Sequence, residues 1–189
     1  MEKNLLTLIE PPEYDIEIEM MYATPNNFTG KVIYSDKRCF LHPTAARLLK
    51  KAISLAAKQG LRIRVYDAYR PTTAQKILWE HNPDPNFITN PIKGSPHSRG
   101  VAIDMTLINS STGKLLDMGG SFDDLSSKGF HGTTDISQVA QKNRMLLLGL
   151  MASAGFDHYL NEWWHYQLYN AHKYPLISNS AVCYKIHDF

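Results

Sequence analysis

Ser95-Pro96-His97-Ser98-Arg99-Gly100-Val101-Ala102-Ile103-Asp104 opens on turn residues and runs into a segment in which apolar and polar positions alternate. The alternation places Val101, Ile103, Met105 and Leu107 on one face of a strand, and Ala102, Asp104 and Thr106 on the other. Asp104 is then a carboxylate on a rigid element whose opposite face wants the core, with His97 in the loop that feeds it. An imidazole and a carboxylate brought together in this way are two of the three protein ligands that a catalytic zinc takes. Leu160-Asn161-Glu162-Trp163-Trp164-His165-Tyr166, near the C-terminus, supplies a third ligand in His165 and a candidate general base in Glu162. Three protein ligands leave the fourth tetrahedral position for water, which distinguishes a catalytic from a structural zinc site. In Asp67-Ala68-Tyr69-Arg70-Pro71 an arginine ends a strand-like run, where its guanidinium can neutralise charge developing on a substrate oxygen.

Around these motifs the chain alternates strands and helices. Tyr14 to Met21 carries Ile16, Ile18 and Met20 against Asp15, Glu17 and Glu19, the pattern of a half-buried strand. Pro43 to Gln59 reads as an amphipathic helix ended by Gly60, with His42 a cap or surface residue before it. Leu61 to Asp67 alternates as a strand. Thr72 with Gln75 forms a capping box for a helix to about His81. Asn82 to Lys93 is a loop with several prolines and no recognisable chemistry, and His131 reads as an ordinary loop histidine. Ser137 to Ala154 predicts a helix with an apolar stripe of Val139, Leu146, Leu147, Leu150 and Met151, deeply buried at its three adjacent leucines. Phe156 to Leu168 reads as one aromatic-rich strand. Residues three apart on a flat strand point oppositely, so Glu162 and His165 converge only if the backbone bends; the expectation is a bulge or strand start near Glu162-Trp163.

The blocks together resemble the zinc D-alanyl-D-alanine dipeptidases of the VanX type, in the fold group of the D-Ala-D-Ala carboxypeptidases and the hedgehog signalling domain. The SxHxxGxAxD block (Ser95 to Asp104), the ExxH block (Glu162 to His165) and the DAYRP block carry the resemblance. Tyr22-Ala23-Thr24, Asn27-Phe28-Thr29-Gly30, Met118-Gly119, Phe122-Asp123 and the doubled Trp163-Trp164 match the dipeptidase branch. The likeness runs from about Tyr22 to about Tyr166. It implies an α+β fold, a central mostly antiparallel sheet with flanking helices, and one zinc peptidase domain over residues 1–189. It implies one Zn2+ per chain on His97, Asp104 and His165, Glu162 as base, Arg70 on the oxyanion, and a structural role for Asp67. Asp123 matches the carboxylate that receives the free amino terminus of a dipeptide. Ser95 is a candidate for the substrate carboxylate, and Tyr22, Tyr34, Trp163 and Trp164 are candidates for the pocket walls. The implied reaction is hydrolysis of D-Ala-D-Ala. The competing readings are a D,D-carboxypeptidase acting on longer stem peptides and a non-catalytic hedgehog-like binding domain.

Composition adds bounds. The chain has 189 residues, 43% hydrophobic and 20% charged, with a formal net charge of +2. A chain of this length buries roughly 70% of the surface its unfolded form exposes, so it needs no disulfide. Cys39 and Cys183 are expected as separate thiols. No basic run marks a nucleic-acid face and no segment suits a bilayer span, so neither nucleic acid nor a membrane is an expected partner; the small dipeptide substrate is what the resemblance implies. The first residues lack a basic region followed by an apolar run, which reads as a cytoplasmic protein, or a periplasmic one if a leader was removed.

Overall fold

A computed structural model describes residues 5–182 and 186–187. Among them are a two-stranded antiparallel ribbon of β1 (Thr7–Ile9) and β3 (Cys39–Leu41) and a five-stranded sheet. The sheet contains β2 (Ile16–Ile18), β4 (Leu61–Asp67), β5 (Ala102–Asn109), β6 (Asp157–Tyr159) and β7 (Glu162–Gln167), in the order β2-β4-β5-β7-β6. Only the β2–β4 pair is parallel. Three α-helices accompany them: α1 (Pro43–Ala57), α2 (Thr72–His81) and α3 (Gln138–Ala154). This is the mostly antiparallel α+β architecture expected.

The period-2 pattern of β5 has the predicted consequence. Ile63 pairs with Leu107 and Val65 with Met105, and these side chains join Leu49 and Ala52 of α1 and Leu147 and Met151 of α3 in one core. On the opposite face Arg64 pairs with Thr106 and Asp104 with His165. Helices α1 and α3 thus cover one face and leave the other for chemistry. His42 is the N-cap of α1, its Nδ1 accepting from the Thr44 amide at 3.2 Å. Cys39 is a buried free thiol; Cys183 lies outside the described residues. No helix among the described residues is long and apolar enough to cross a membrane.

Three expectations change. The aromatic-rich strand is a hairpin, β6 and β7 turning at Leu160-Asn161, where Asn161 suits a turn better than a ladder and Leu160 is left exposed. Helix α3 buries Ala140, Arg144, Leu147, Met151 and Ala154, whereas Val139 (60% exposed) and Leu146 (37%) face outward. The reason is Arg144, whose Nε donates to Met118 O at 2.6 Å and Nη1 to Phe130 O at 2.9 Å, turning the helix inward on the loop between those residues. The capping box at Thr72 does not form: the N-cap of α2 is Pro71, without a side-chain bond, and Gln75 is committed elsewhere.

His131 sits in its loop but is only 5% exposed. Its ring meets those of His158 and Tyr166 edge-on at 5.2 and 6.0 Å, and neither ring nitrogen has a hydrogen-bond partner. Burial, followed by the charges of His158 and Arg144, holds its pKa down at about 4 against an ordinary 6.5. Between those values the unfolded chain binds the proton that the folded one refuses, so stability is fully present above pH 6.5 and is lost as pH falls toward 4. His131→Phe keeps an aromatic ring in place and is expected to remove about 1 kcal/mol of pH sensitivity per unit in that window. Urea unfolding at pH 4.5 and 7 checks this; an unchanged slope contradicts it.

Candidate metal centre and active site

The turn that precedes β5 positions the first ligand. Ser95 Oγ accepts from the His97 amide at 3.2 Å, and a 3-10 turn over His97–Arg99 closes on Gly100 at φ 66°. The left-handed backbone favours glycine there, and a Cβ would also press on a Leu6 methyl at 2.7 Å and the His42 amide nitrogen at 3.2 Å. The DAYRP segment is tied to the same turn twice: Arg70 N donates to His97 O at 3.2 Å, and His97 Nδ1 lies 2.7 Å from Ala68 O. A carbonyl can only accept, so that nitrogen carries the proton and Nε2 presents its lone pair to the sheet face.

His165 Nδ1 meets this lone pair from the facing strand. It stands 3.1 Å from His97 Nε2 and 3.0 Å from Asp104 Oδ1, while Asp104 Oδ2 lies 3.4 Å from His97 Nε2. His165 Nε2 is held 3.0 Å from Gln167 Oε1, which fixes the opposite tautomer and frees Nδ1. One ligand atom from each of His97, Asp104 and His165 lies within 4.8 Å of the others, and all three residues are buried. Burial alone would raise the Asp104 pKa, but positive charge on the side of His97 and His165 holds the carboxyl ionised, below the usual range. Two neutral nitrogens and one carboxylate oxygen, each oriented from behind, form a donor set that fits zinc and leaves one side open.

The expected backbone bend is present. Asp157 and His158 of β6 pair with Gln167 and Tyr166, but Tyr159 pairs with Glu162, so four steps on β7 oppose one on β6. The strand starts at Glu162, and the irregularity brings Glu162 Oε2 to 3.7 Å from His165 Nδ1. Burial, modulated by His165 and Asp104, pushes the Glu162 carboxyl up to about 8.

Arg70 is fixed on several sides. Its Nε and Nη2 reach Asp67 Oδ2 at 2.8 and 2.6 Å, Nη1 donates to Gln75 Oε1 at 2.8 Å, and the Tyr22 ring lies 4.7 Å below the guanidinium carbon. A register shift in β4 between Val65 and Asp67 places Asp67 opposite Asp104, and the arginine separates the two carboxylates. Burial disfavours its charge, but Asp67 and Asp104 keep it fully protonated.

These groups line a cavity of about 250 Å³, below the roughly 300–1,000 Å³ of drug-sized ligand sites. Tyr22, Ser95, Asp123 and Trp164 border it. Asp123, at φ 60°, receives the Tyr22 hydroxyl on Oδ1 at 3.1 Å, and its Oδ2 is buried without a partner. Burial and the charge of Asp104 raise its pKa to about 8. Tyr34 and Trp163 do not line the cavity. Tyr34 is fully buried and gives its hydroxyl to Asp67 Oδ1 at 2.7 Å, so it acts behind Arg70. Trp163 is 2% exposed, borders a separate hollow with Met118 and Phe122, and lies under Arg144 at 5.5 Å. Sequence reasoning missed Gln75, Gln167 and Tyr159. Gln167 was within reach, because it lies two residues beyond His165 on the same strand face.

Fold and site together define a metallopeptidase. Residues 6–185 match the D-ala-D-ala dipeptidase family, and the chain belongs to it. It is 44% identical over 170 residues to a D-alanyl-D-alanine dipeptidase of Escherichia coli strain K12, covering 90% of this chain and 88% of that one. It is 35% identical over 182 residues to an Enterococcus faecium protein of the same name, covering 86% and 90%. A vancomycin resistance D,D-pentapeptidase, VanY, solved in complex with Zn(II), superposes with a TM-score of 0.47 at 15% identity, over 85% of this chain and 83% of that one.

Proposed function

We propose that this chain is a single zinc peptidase domain that hydrolyses D-Ala-D-Ala to two molecules of D-alanine. The observation that carries the proposal is the convergence of His97, Asp104 and His165 beside Glu162, in a cavity whose other polar groups suit the two ends of a dipeptide. One Zn2+ held by those three residues would polarise the peptide carbonyl and lower the pKa of an attacking water toward about 7. Glu162 takes the proton from that water and returns it to the leaving amine, a role suited to a carboxyl whose pKa lies near the working pH. Arg70, immobilised by Asp67 and Gln75, keeps N–H groups free to donate to the oxyanion. Asp123 offers its unpartnered Oδ2 to the substrate ammonium, which ionises the carboxyl by supplying the cation it lacks. Ser95 stands at the cavity wall for the substrate carboxylate, and Trp164 packs against the small side chains.

A carboxypeptidase acting on longer stem peptides needs the amino side of the cavity open, and Asp123 with Tyr22 closes it. The test is release of D-alanine from D-Ala-D-Ala by zinc-loaded protein, beside a stem pentapeptide, with and without chelator. Dipeptide turnover that chelator abolishes and zinc restores is the expected result. Equal release from the pentapeptide would refute the dipeptidase assignment.

A further inference from the structure

The cavity has one wall from a segment in which the sequence showed no chemistry. Pro85, Phe87, Ile88 and Thr89 all border it. Side chains pin this segment at two carbonyls. Asn86 O receives the Tyr159 hydroxyl at 2.8 Å and Asn161 Nδ2 at 3.1 Å, both from the β6–β7 hairpin. Thr89 O receives Gln75 Nε2 at 2.7 Å.

Gln75 is the link between this wall and the reaction centre. It is 1% exposed, and the same amide accepts from Arg70 Nη1 at 2.8 Å. The orientation of the amide is forced, because a guanidinium can only donate and a carbonyl can only accept. A side chain that answers both must carry an acceptor and a donor on neighbouring atoms at this length, which among the amino acids is glutamine. We infer that Gln75 is a positioning residue that selects substrate length, locking the wall at Thr89 to the guanidinium of Arg70 through one amide. The inference rests on the dipeptidase reading and specifies how the site refuses longer chains: the wall cannot retreat without breaking the Gln75–Thr89 bond and leaving a buried amide donor unpaired, while the other end of that amide stays fixed on Arg70.

Two substitutions separate the functions of the amide. Gln75→Glu keeps an acceptor for Arg70 but sets a carboxylate oxygen against Thr89 O, so it frees the wall. Gln75→Leu, of similar size, loses both bonds. With zinc-loaded protein, kcat and KM are measured for D-Ala-D-Ala and for D-Ala-D-Ala-D-Ala. Gln75→Glu is expected to raise the dipeptide KM about tenfold and the tripeptide-to-dipeptide ratio of kcat/KM about tenfold. Gln75→Leu raises the same ratio and also lowers dipeptide kcat about a hundredfold, because Arg70 loses an anchor. Amide hydrogen exchange over residues 84–94 is expected to speed up at least tenfold in both variants, a readout independent of turnover. Parallel loss of dipeptide and tripeptide activity at a constant ratio, or wild-type exchange in both variants, would overturn the inference. Wild-type protein inactive on D-Ala-D-Ala would instead reject the activity, and the exchange measurement would still decide whether Gln75 holds the wall.

Discussion

Glu162→Gln is expected to bind zinc as the wild type does and to lose about 10²–10⁴-fold in kcat, the contribution of a positioned general base. The change is nearly isosteric, and the site makes it an isolated one. Burial already favours the neutral form of the carboxyl, pushing its pKa up to about 8, so a neutral amide in its place adds no desolvation cost. Glu162 is not among the three residues whose ligand atoms converge, which leaves the donor set intact. The folded protein is therefore expected to be as stable as the wild type, with only proton transfer missing. Steady-state kinetics on D-Ala-D-Ala, with zinc content measured on the same samples, checks this. Turnover within tenfold of the wild type would place the base elsewhere, and lost zinc would make Glu162 a ligand.

Asp104→Ala produces the opposite signature, with metal and activity lost together. The Asp104 carboxylate spans both histidines, 3.0 Å from His165 Nδ1 and 3.4 Å from His97 Nε2, and lies 3.7 Å from Arg70 Nη2. Without it two neutral imidazoles remain beside a buried guanidinium, an arrangement that repels a divalent cation. The loss of zinc affinity is expected to exceed the roughly 10–100-fold that follows from changing a residue behind a ligand, such as Gln167. Stability reports the same event. Zinc at a thousandfold over its Kd raises the unfolding free energy of the wild type by about 4 kcal/mol, and Asp104→Ala removes that increment. Thermal unfolding with and without added zinc measures it. A variant still stabilised by zinc as the wild type is would contradict the role of Asp104.

The site was legible where chemistry and local pattern coincide. His97 and Asp104 belong to a turn and an alternating strand whose faces are readable from residue types, and the structure places Asp104 on the face of β5 away from the helix-packed core, with His97 buried beside it in the turn. The bend at Glu162 followed from a conflict between ExxH spacing and strand geometry, and the irregular β6–β7 pairing resolves it. What stayed hidden depends on contacts distant in the chain. Tyr34 looked like a pocket residue, but its hydroxyl finds Asp67, 33 positions away. Trp163 and Trp164 are neighbours with the same chemistry, and only the packing of Arg144 and Phe122 separates their roles. Gln75 fits a helix-capping pattern locally; a buried arginine and a loop carbonyl outcompete the cap because an unmet buried partner costs more than an exposed helix end. The orientation of α3 was misread for the same reason, since an arginine can face the core when two loop carbonyls receive it.

X-ray absorption at the zinc edge, on protein titrated with zinc to saturation, reads the centre directly. The expected result is one ion per chain with about four nitrogen or oxygen neighbours near 2.0–2.1 Å, two of them imidazoles, and no sulfur. Failure to bind zinc, or a shell lacking both imidazoles, would mean that residues 97, 104 and 165 meet for some purpose other than holding a metal.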